Sequence, residues 1–249
     1  MTHSNATSFG QQAVTYAQGR PGYPADLYDW IAGGTPTQNL VWDVGTGSGQ
    51  AARDLATRFA RVHATDVSAA QIAAADPHPK IDYHVAPAGQ SGLAGATVDA
   101  ICVATAVHWF ADTPFWTEVA RVAKPGALFC AWTYQLPCAP RAVQRQFLDP
   151  IYALIDAYWA QGNRICMAGY SAQNLHCPFP IIETPNFESG GVWTAQQLID
   201  FARSWSAHLR AREAGLETAL EDLEARLLAE NGDRSIPISM PLSLLAARL

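Results

Sequence analysis

The stretch Leu40-Val41-Trp42-Asp43-Val44-Gly45-Thr46-Gly47-Ser48-Gly49-Gln50 decides the reading of the chain, because an apolar run of strand length passes into a glycine-rich turn and directly into a helix-like segment. A chain leaving a buried parallel strand must turn tightly, and a turn without Cβ atoms lets a ligand approach its backbone. Strand, loop and helix in this order predict a nucleotide-type cofactor site. Asp66 closes the next apolar run, at about the 20-residue interval at which a carboxylate meets ribose hydroxyls in such sites. Working outward, Ala51, Ala52, Leu55, Ala56 and Phe59 recur at helical spacing. Val62 to Asp66 reads as a second strand, and Ser68 caps a helix over residues 69–75 that stops at Asp76-Pro77. Ile81 to Val85 reads as a third strand. Val98 to Ala104 is apolar throughout except Asp99, which suits a central parallel strand buried on both faces.

Two cofactor classes use this arrangement. Gly47, Gly49 and Ala52 satisfy the dinucleotide pattern G-x-G-x-x-A, which keeps a nicotinamide-dependent oxidoreductase open. Asp43 ahead of Gly45, Gly47 and Gly49 makes D-x-G-x-G-x-G, which resembles motif I of the class I S-adenosylmethionine-dependent methyltransferases. Further segments carry the resemblance in order. Phe9, Tyr16, Arg20-Pro21 and Tyr23-Pro24 resemble the opening of the trans-aconitate methyltransferase-like group of type 11 methyltransferases. His108-Trp109-Phe110, with Asp112 and Phe115, resembles the His-Trp-Phe segment of that group, and Arg121 to Leu128 resembles the turn that precedes its fifth strand. The match spans residues 9–134.

The resemblance implies a Rossmann-like α/β sheet of seven strands whose last strand, Ile236 to Leu249, is antiparallel, with S-adenosyl-L-methionine as cofactor. It implies one domain over 1–249, made of an N-terminal helical lid (1–38), a cofactor-binding core (39–135) and a helical cap over the substrate (138–180 and 190–232). The cofactor set it implies is Tyr16, Arg20, Asp43, Gly45, Thr46, Gly47, Gly49, Gln50, Asp66, Val67, Ala88, Gly89, Gln90, Ala104 and Thr105. Here the chain departs from its relatives: they carry an acidic pair after the third strand, whereas this sequence has Ala88-Gly89-Gln90. The Gln90 amide oxygen or a backbone carbonyl is the available acceptor for an adenine amino group. The lost acid also keeps open a non-catalytic member that binds cofactor as a scaffold. For the acceptor end, His108 and Trp109 are the catalytic candidates and Trp132, Tyr134 and Trp205 the further pocket walls. Methyl transfer from a sulfonium needs no protein nucleophile, so alignment is the main resource. His108 serves as base if the acceptor is a hydroxyl, or as an orienting group if it is a carboxylate.

In the cap, Arg141 to Trp159 reads as helix, Gly162 to Pro180 as loop with short turns, Pro178 to Phe187 as the sixth strand with its approach, Ala195 to Leu209 as a helix capped by Thr194, and Glu213 to Glu230 as an amphipathic helix. The composition fits a folded enzyme of one domain: 249 residues, 49% hydrophobic and 15% charged. A net charge of −6 opposes the basic face that nucleic acid requires, so a small-molecule acceptor is expected. Five cysteines without a C-x-x-C pair suggest neither a disulfide framework nor a metal site. No apolar run approaches a membrane span and the N-terminus has no leader pattern, so a cytoplasmic enzyme is expected. Oligomeric state is not encoded in any of these features.

Overall fold

The computed structural model describes residues 22–249. After helix α1 (Ala25–Gly33), strands and helices alternate except between β3 and β4, which a loop joins: β1 (Leu40–Val44), α2 (Gln50–Leu55), β2 (Arg61–Asp66), α3 (Ala69–Ala73), β3 (Ile81–Val85), β4 (Val98–Ala104), α4 (Thr113–Val122) and β5 (Ala123–Tyr134). Crossovers of this kind bring consecutive strands parallel. The sheet runs β3-β2-β1-β4-β5, with all four pairings parallel. The order reverses between β1 and β4, so the carboxyl ends of these two strands flank the crevice where such sheets bind ligands. Gly45 leaves one strand there and Thr105 the other.

Beyond β5 the chain builds a cap and returns. A helical stretch with a wide turn at Gln144–Leu148 runs into α5 (Asp149–Ile155); α6 (Gln161–Ala168) and a helical turn at Ala172–Leu175 follow. Then come β6 (Ile181–Ile182), β7 (Glu188–Trp193), α7 (Ala195–Arg203), α8 (Ser206–Ala211), α9 (Glu217–Asn231) and β8 (Ile236–Arg248). The last strand is antiparallel, as expected, and enters the sheet beside β5.

Several boundaries differ from the sequence reading. Residues 162–180 are not a plain loop, because α6 forms there. Its register is fixed from outside: Arg164 bonds Asp156, and Gly162 lies so close to Trp109 that a Cβ would come within 2.8 Å of the indole. The expected helix over Ala195 to Leu209 breaks at Ser204-Trp205, and α9 starts only at Glu217 because Gly215 takes φ 92°. An eighth strand, β7, was not legible. It exists because β8 is 13 residues long and pairs with β5 only through Leu242–Arg248, which leaves Ile236–Pro241 as a ladder for β7.

Both sheet faces are covered. One face packs Leu27, Tyr28, Ile31, Leu55, Phe59, Phe147 and Ile151 of α1, α2 and the cap; the other packs Trp42, Phe115, Trp116, Val119 and Phe129. Among the described residues no helix is long and apolar enough to cross a membrane. Trp132, expected as a pocket wall, belongs instead to the first of these layers: it is fully buried, with Tyr23 and Tyr28 edge-on to its ring at 5.5 and 6.1 Å. Trp132→Ala should therefore cost about 3–5 kcal/mol of unfolding free energy in a denaturant titration, the magnitude of a large core truncation. A loss below about 1 kcal/mol would return the ring to the surface of the cavity.

Candidate functional site

The glycine loop is tied down by its neighbour strand. Gly45 N–H and Thr46 N–H both donate to the Thr65 carbonyl, at 2.8 and 3.0 Å. One residue on, the Asp66 carboxylate closes the arrangement by accepting Gly47 N–H on one oxygen (2.9 Å) and Ser68 N–H on the other (2.8 Å). Asp66 is thus a clasp on the loop as well as a ligand candidate, since each oxygen keeps a further lone pair. The glycines serve different ends. A Cβ on Gly49 would run into the Tyr83 ring, so that position is closed by packing. A Cβ on Gly47 would meet only Gln71 Oε1 at 3.8 Å, so this backbone, at φ +57°, is bare towards the cavity.

Behind the loop, Asp43 is completely buried at the end of β1. Its Oδ2 accepts the Thr46 hydroxyl at 2.5 Å, while Oδ1 has no hydrogen-bond partner among the described residues. Burial raises its pKa from 3.8 to about 7, against the Thr46 hydrogen bond and with the help of the Asp66 charge. A buried carboxylate oxygen left over at a cavity wall, a bare backbone at Gly47 and the spare lone pairs of Asp66 together fit a ligand with a cationic tail and a ribose.

Residues 86–88 line the cavity beside the third strand, Ala88 among them, but Gly89 packs against Pro114, 3.0 Å from its would-be Cβ. Gln90 is exposed and off the cavity wall, which corrects its assignment as the side chain that meets adenine. What holds this segment is a residue the sequence reading passed over. Glu118 of α4 accepts Ser91 N–H (2.8 Å) and the Ser91 hydroxyl (2.5 Å), and Arg121 brackets it at 2.7 Å. Arg121, then the Ser91 bonds against burial, hold its carboxyl down to about 2. The i,i+3 spacing of Glu118 and Arg121 was the available signal.

At the exit of β4, Thr105 sits at φ +51°, an uncommon conformation for a residue with a branched Cβ. Its N–H bonds the Trp132 carbonyl (2.7 Å) and its hydroxyl meets Tyr23 Oη (2.9 Å). The turn Val107–Trp109 then carries His108 and Trp109 to the cavity. His108 Nδ1 lies 2.8 Å from the Tyr170 hydroxyl. Cys166 Sγ lies 3.0 and 3.4 Å from the two ring nitrogens, a position over the imidazole. Tyr170 is buried and anchored in turn, its N–H on Ser243 Oγ of β8 at 2.8 Å. Neither Cys166 nor Tyr170 was singled out from the sequence, because both lie in the segment read as loop.

These elements enclose one continuous cavity of about 860 Å³, at the upper end of the range of about 300–1,000 Å³ for small-molecule sites. Asp43, Gly45, Thr46, Gly47, Gln50, Asp66, Val67 and Ala88 line one end; Ala104, Thr105, His108 and Trp109 stand midway; Tyr134 and Trp205 line the cap side. Gly49, Gly89, Gln90 and Trp132 are not on its wall. Tyr16 and Arg20 lie outside the described residues.

Comparisons with known proteins agree with this geometry. A family profile described as a methyltransferase domain matches residues 42–131. A solved structure from Anaeromyxobacter dehalogenans, described as a type II methyltransferase, superposes with a TM-score of 0.85 at 36% identity, covering 92% of this chain and 97% of that one. A protein of Dictyostelium discoideum named as a methyltransferase is 26% identical over 249 residues, 96% of this chain and 94% of its own. A methyltransferase of Aspergillus candidus is 25% identical over 302 residues, 94% of this chain and 93% of its own.

Two outcomes test the site without any ligand. Asp43 keeps its proton to about pH 7 when folded and loses it near 3.8 when unfolded. Between these values the folded state binds more protons, so the contribution of Asp43 to stability falls as pH rises, by up to about 1.4 kcal/mol per pH unit. Asp43→Asn should remove that slope in unfolding experiments from pH 4 to 7.5; a pH-independent difference between variant and parent would show a compensated Asp43. Asp66→Ala should release the loop, seen as faster hydrogen exchange at the Gly47 and Ser68 amides. Unchanged protection would reduce Asp66 to a ligand contact alone.

Proposed function

The chain belongs to the class I S-adenosylmethionine-dependent methyltransferases, and from that premise we propose that it methylates an oxygen, hydroxyl or carboxylate, of a small molecule, as a member of the trans-aconitate methyltransferase-like group. Its cofactor is S-adenosylmethionine. Membership assigns the glycine loop to methyl transfer and not to the hydride transfer of a dinucleotide enzyme. The observation that carries the proposal is the continuity of the cavity: a single space runs from the Asp66 clasp, past His108 and Trp109, to Trp205 under the cap. The His-Trp-Phe exit of β4 supports the subgroup.

When bound, the cofactor supplies a methyl group on a sulfonium, so the new bond to the acceptor oxygen forms as the sulfur–methyl bond breaks and its electron pair stays on sulfur. The rest falls to the protein. In this reading Asp66 accepts the ribose hydroxyls, and the bare Gly47 backbone lets the ligand approach. Asp43, ionised by a neighbouring positive charge, helps orient the methionyl ammonium through the loop, and Ala88 with its neighbours covers the base. The family resemblance assigns Tyr16 and Arg20, outside the described residues, to the cofactor carboxylate. Tyr170 fixes the ring of His108 through Nδ1, and His108 takes the proton of a hydroxyl acceptor or orients a carboxylate. Trp109 and Tyr134 exclude water, which strengthens every polar contact inside. We place the enzyme in the cytoplasm, a reading supported by cysteines that all remain unpaired.

Calorimetry should show saturable 1:1 binding of S-adenosylhomocysteine, abolished in Gly47→Val, whose branched Cβ enters the cavity at a positive φ. No heat at millimolar ligand with a folded parent would overturn the assignment. Tyr170→Phe removes one hydroxyl from a buried ring, so it should shift the His108 imidazole titration followed by NMR and leave the affinity for S-adenosylhomocysteine nearly unchanged. An unmoved titration would remove Tyr170 from the site. His108→Ala should lower turnover about 10² to 10⁴-fold if the histidine is the base.

A further inference from the structure

The cap end of the cavity has a chemistry of its own. Trp159, Met167, Phe201, Trp205 and Leu209 line it, and Trp109 stands where it meets the middle of the cavity. The rings hold one another in place: Tyr152 stacks on Trp205 with centroids 5.5 Å apart and planes 27° from parallel, Phe201 meets Trp205 edge-on at 5.6 Å, and Trp159 lies 6.0 Å away. Paired rings of this kind form a rigid, flat-walled chamber. The charged groups at this end, among the described residues, are Arg210 and Glu213, one of each sign. The Arg210 guanidinium is already engaged, donating to the Tyr158 carbonyl at 2.6 Å, which ties α8 to the turn before α6. Neutral polar groups here include Asn163 and Ser206, 3.4 Å apart, and Ser204, whose hydroxyl donates to the Phe201 carbonyl, with His108 at the junction to the cofactor end.

A polyanion entering this chamber would give up its hydration and meet one cation and one carboxylate, so most of its charge would stay uncompensated. A flat apolar ring system would replace water along the indoles and needs only one polar group at His108. We propose that the acceptor is a planar, predominantly apolar molecule carrying a phenolic or enolic hydroxyl, seated between the Trp109 and Trp159 side of the chamber with that hydroxyl at His108. This rests on the methyltransferase reading and narrows its acceptor from hydroxyl or carboxylate to an acidic hydroxyl. It separates the chain from acceptors that are tricarboxylates.

The test is a calorimetric comparison of 2-naphthol, 2-naphthoate and trans-aconitate on the full chain, with and without S-adenosylhomocysteine. 2-Naphthol should bind at one site at least about tenfold more tightly than either carboxylate. Trp159→Ala should lose about tenfold in 2-naphthol affinity, the scale of one lost aromatic contact, with S-adenosylhomocysteine affinity unchanged. Met167→Glu, which puts a charge in the chamber, supplies a second variant if the first fails to fold and should also exclude 2-naphthol. Trans-aconitate or 2-naphthoate binding as tightly as 2-naphthol, or no binding of 2-naphthol in either state, would overturn the proposal. Because the titrations are repeated without S-adenosylhomocysteine, failure of the cofactor to bind is seen separately and counts against the methyltransferase reading instead.

Discussion

The grip of Asp66 on the glycine loop is the constraint on which the site depends. Its two oxygens hold the Gly47 and Ser68 amides, one from the loop after β1 and one from the cap of α3. The carboxyl end of β2 is thereby fastened to the carboxyl end of β1, at the crevice that the strand order opens. Backbone geometry then follows. With Gly45 and Thr46 already on the Thr65 carbonyl, the loop has little freedom left, and Gly47 presents a bare backbone to the cavity. Preorganisation of this sort lowers the ordering cost that binding would otherwise carry.

Set against the other buried carboxylates, Asp43 is the exception. Asp99 is met by Lys124 at 2.7 Å, by the Thr37 hydroxyl and by two backbone amides. Glu118 has Arg121 and Ser91, and Glu224 has Arg203 at 2.5 Å and His208 at 3.3 Å. All three are held below their ordinary pKa despite burial. Asp43 alone among these four keeps an unpartnered oxygen and a raised pKa. A fold able to pair three buried carboxylates and leaving the fourth unpaired at a cavity wall has accepted a stability cost at that position. Such costs cluster at functional sites, where a ligand removes them.

The core elements were legible throughout; in the cap the Thr194-capped helix and the helical stretches after Arg141 and before Gly232 were legible, while α6, β7 and the helix breaks were not. From β1 to β5 the signals are local: apolar runs bounded by glycine and proline, the Ser68 cap, and the spacing of Asp43 and Asp66. Each is fixed within one strand, one turn or one strand-helix-strand unit and so survives in the sequence. The departures involve contacts between distant segments. Gln161-Gly162-Asn163-Arg164 has no strong helical face and folds because Trp109 and Asp156 receive it. Gly190-Gly191 has no strand propensity, and β7 forms because β8 outruns β5. Trp132 reads as a wall from its position at a strand end, yet two tyrosines from residues 23–28 cover it. Gln90 has the right chemistry for adenine, but its side chain is exposed while its neighbour Ser91 is the one held inward, by Glu118.

The same distinction explains why catalytic chemistry was only half visible. His108 could be named from its place after β4, but what a histidine does depends on what holds its ring. That partner comes from 62 residues away: Tyr170, itself fixed to Ser243 of the final strand, reaches back to Nδ1. The core therefore supplies the histidine, the cap supplies the tyrosine that orients it, and β8 joins them by spanning both units. Since Tyr170 shares no hydrogen bond with the Asp66 clasp in these contacts, a change in the cap that moves Tyr170 acts on the His108 ring without breaking the bonds of Asp66 to Gly47 and Ser68. The ring of His108 and the loop that Asp66 clasps are thus held by separate sets of contacts, one through the cap and one within the core.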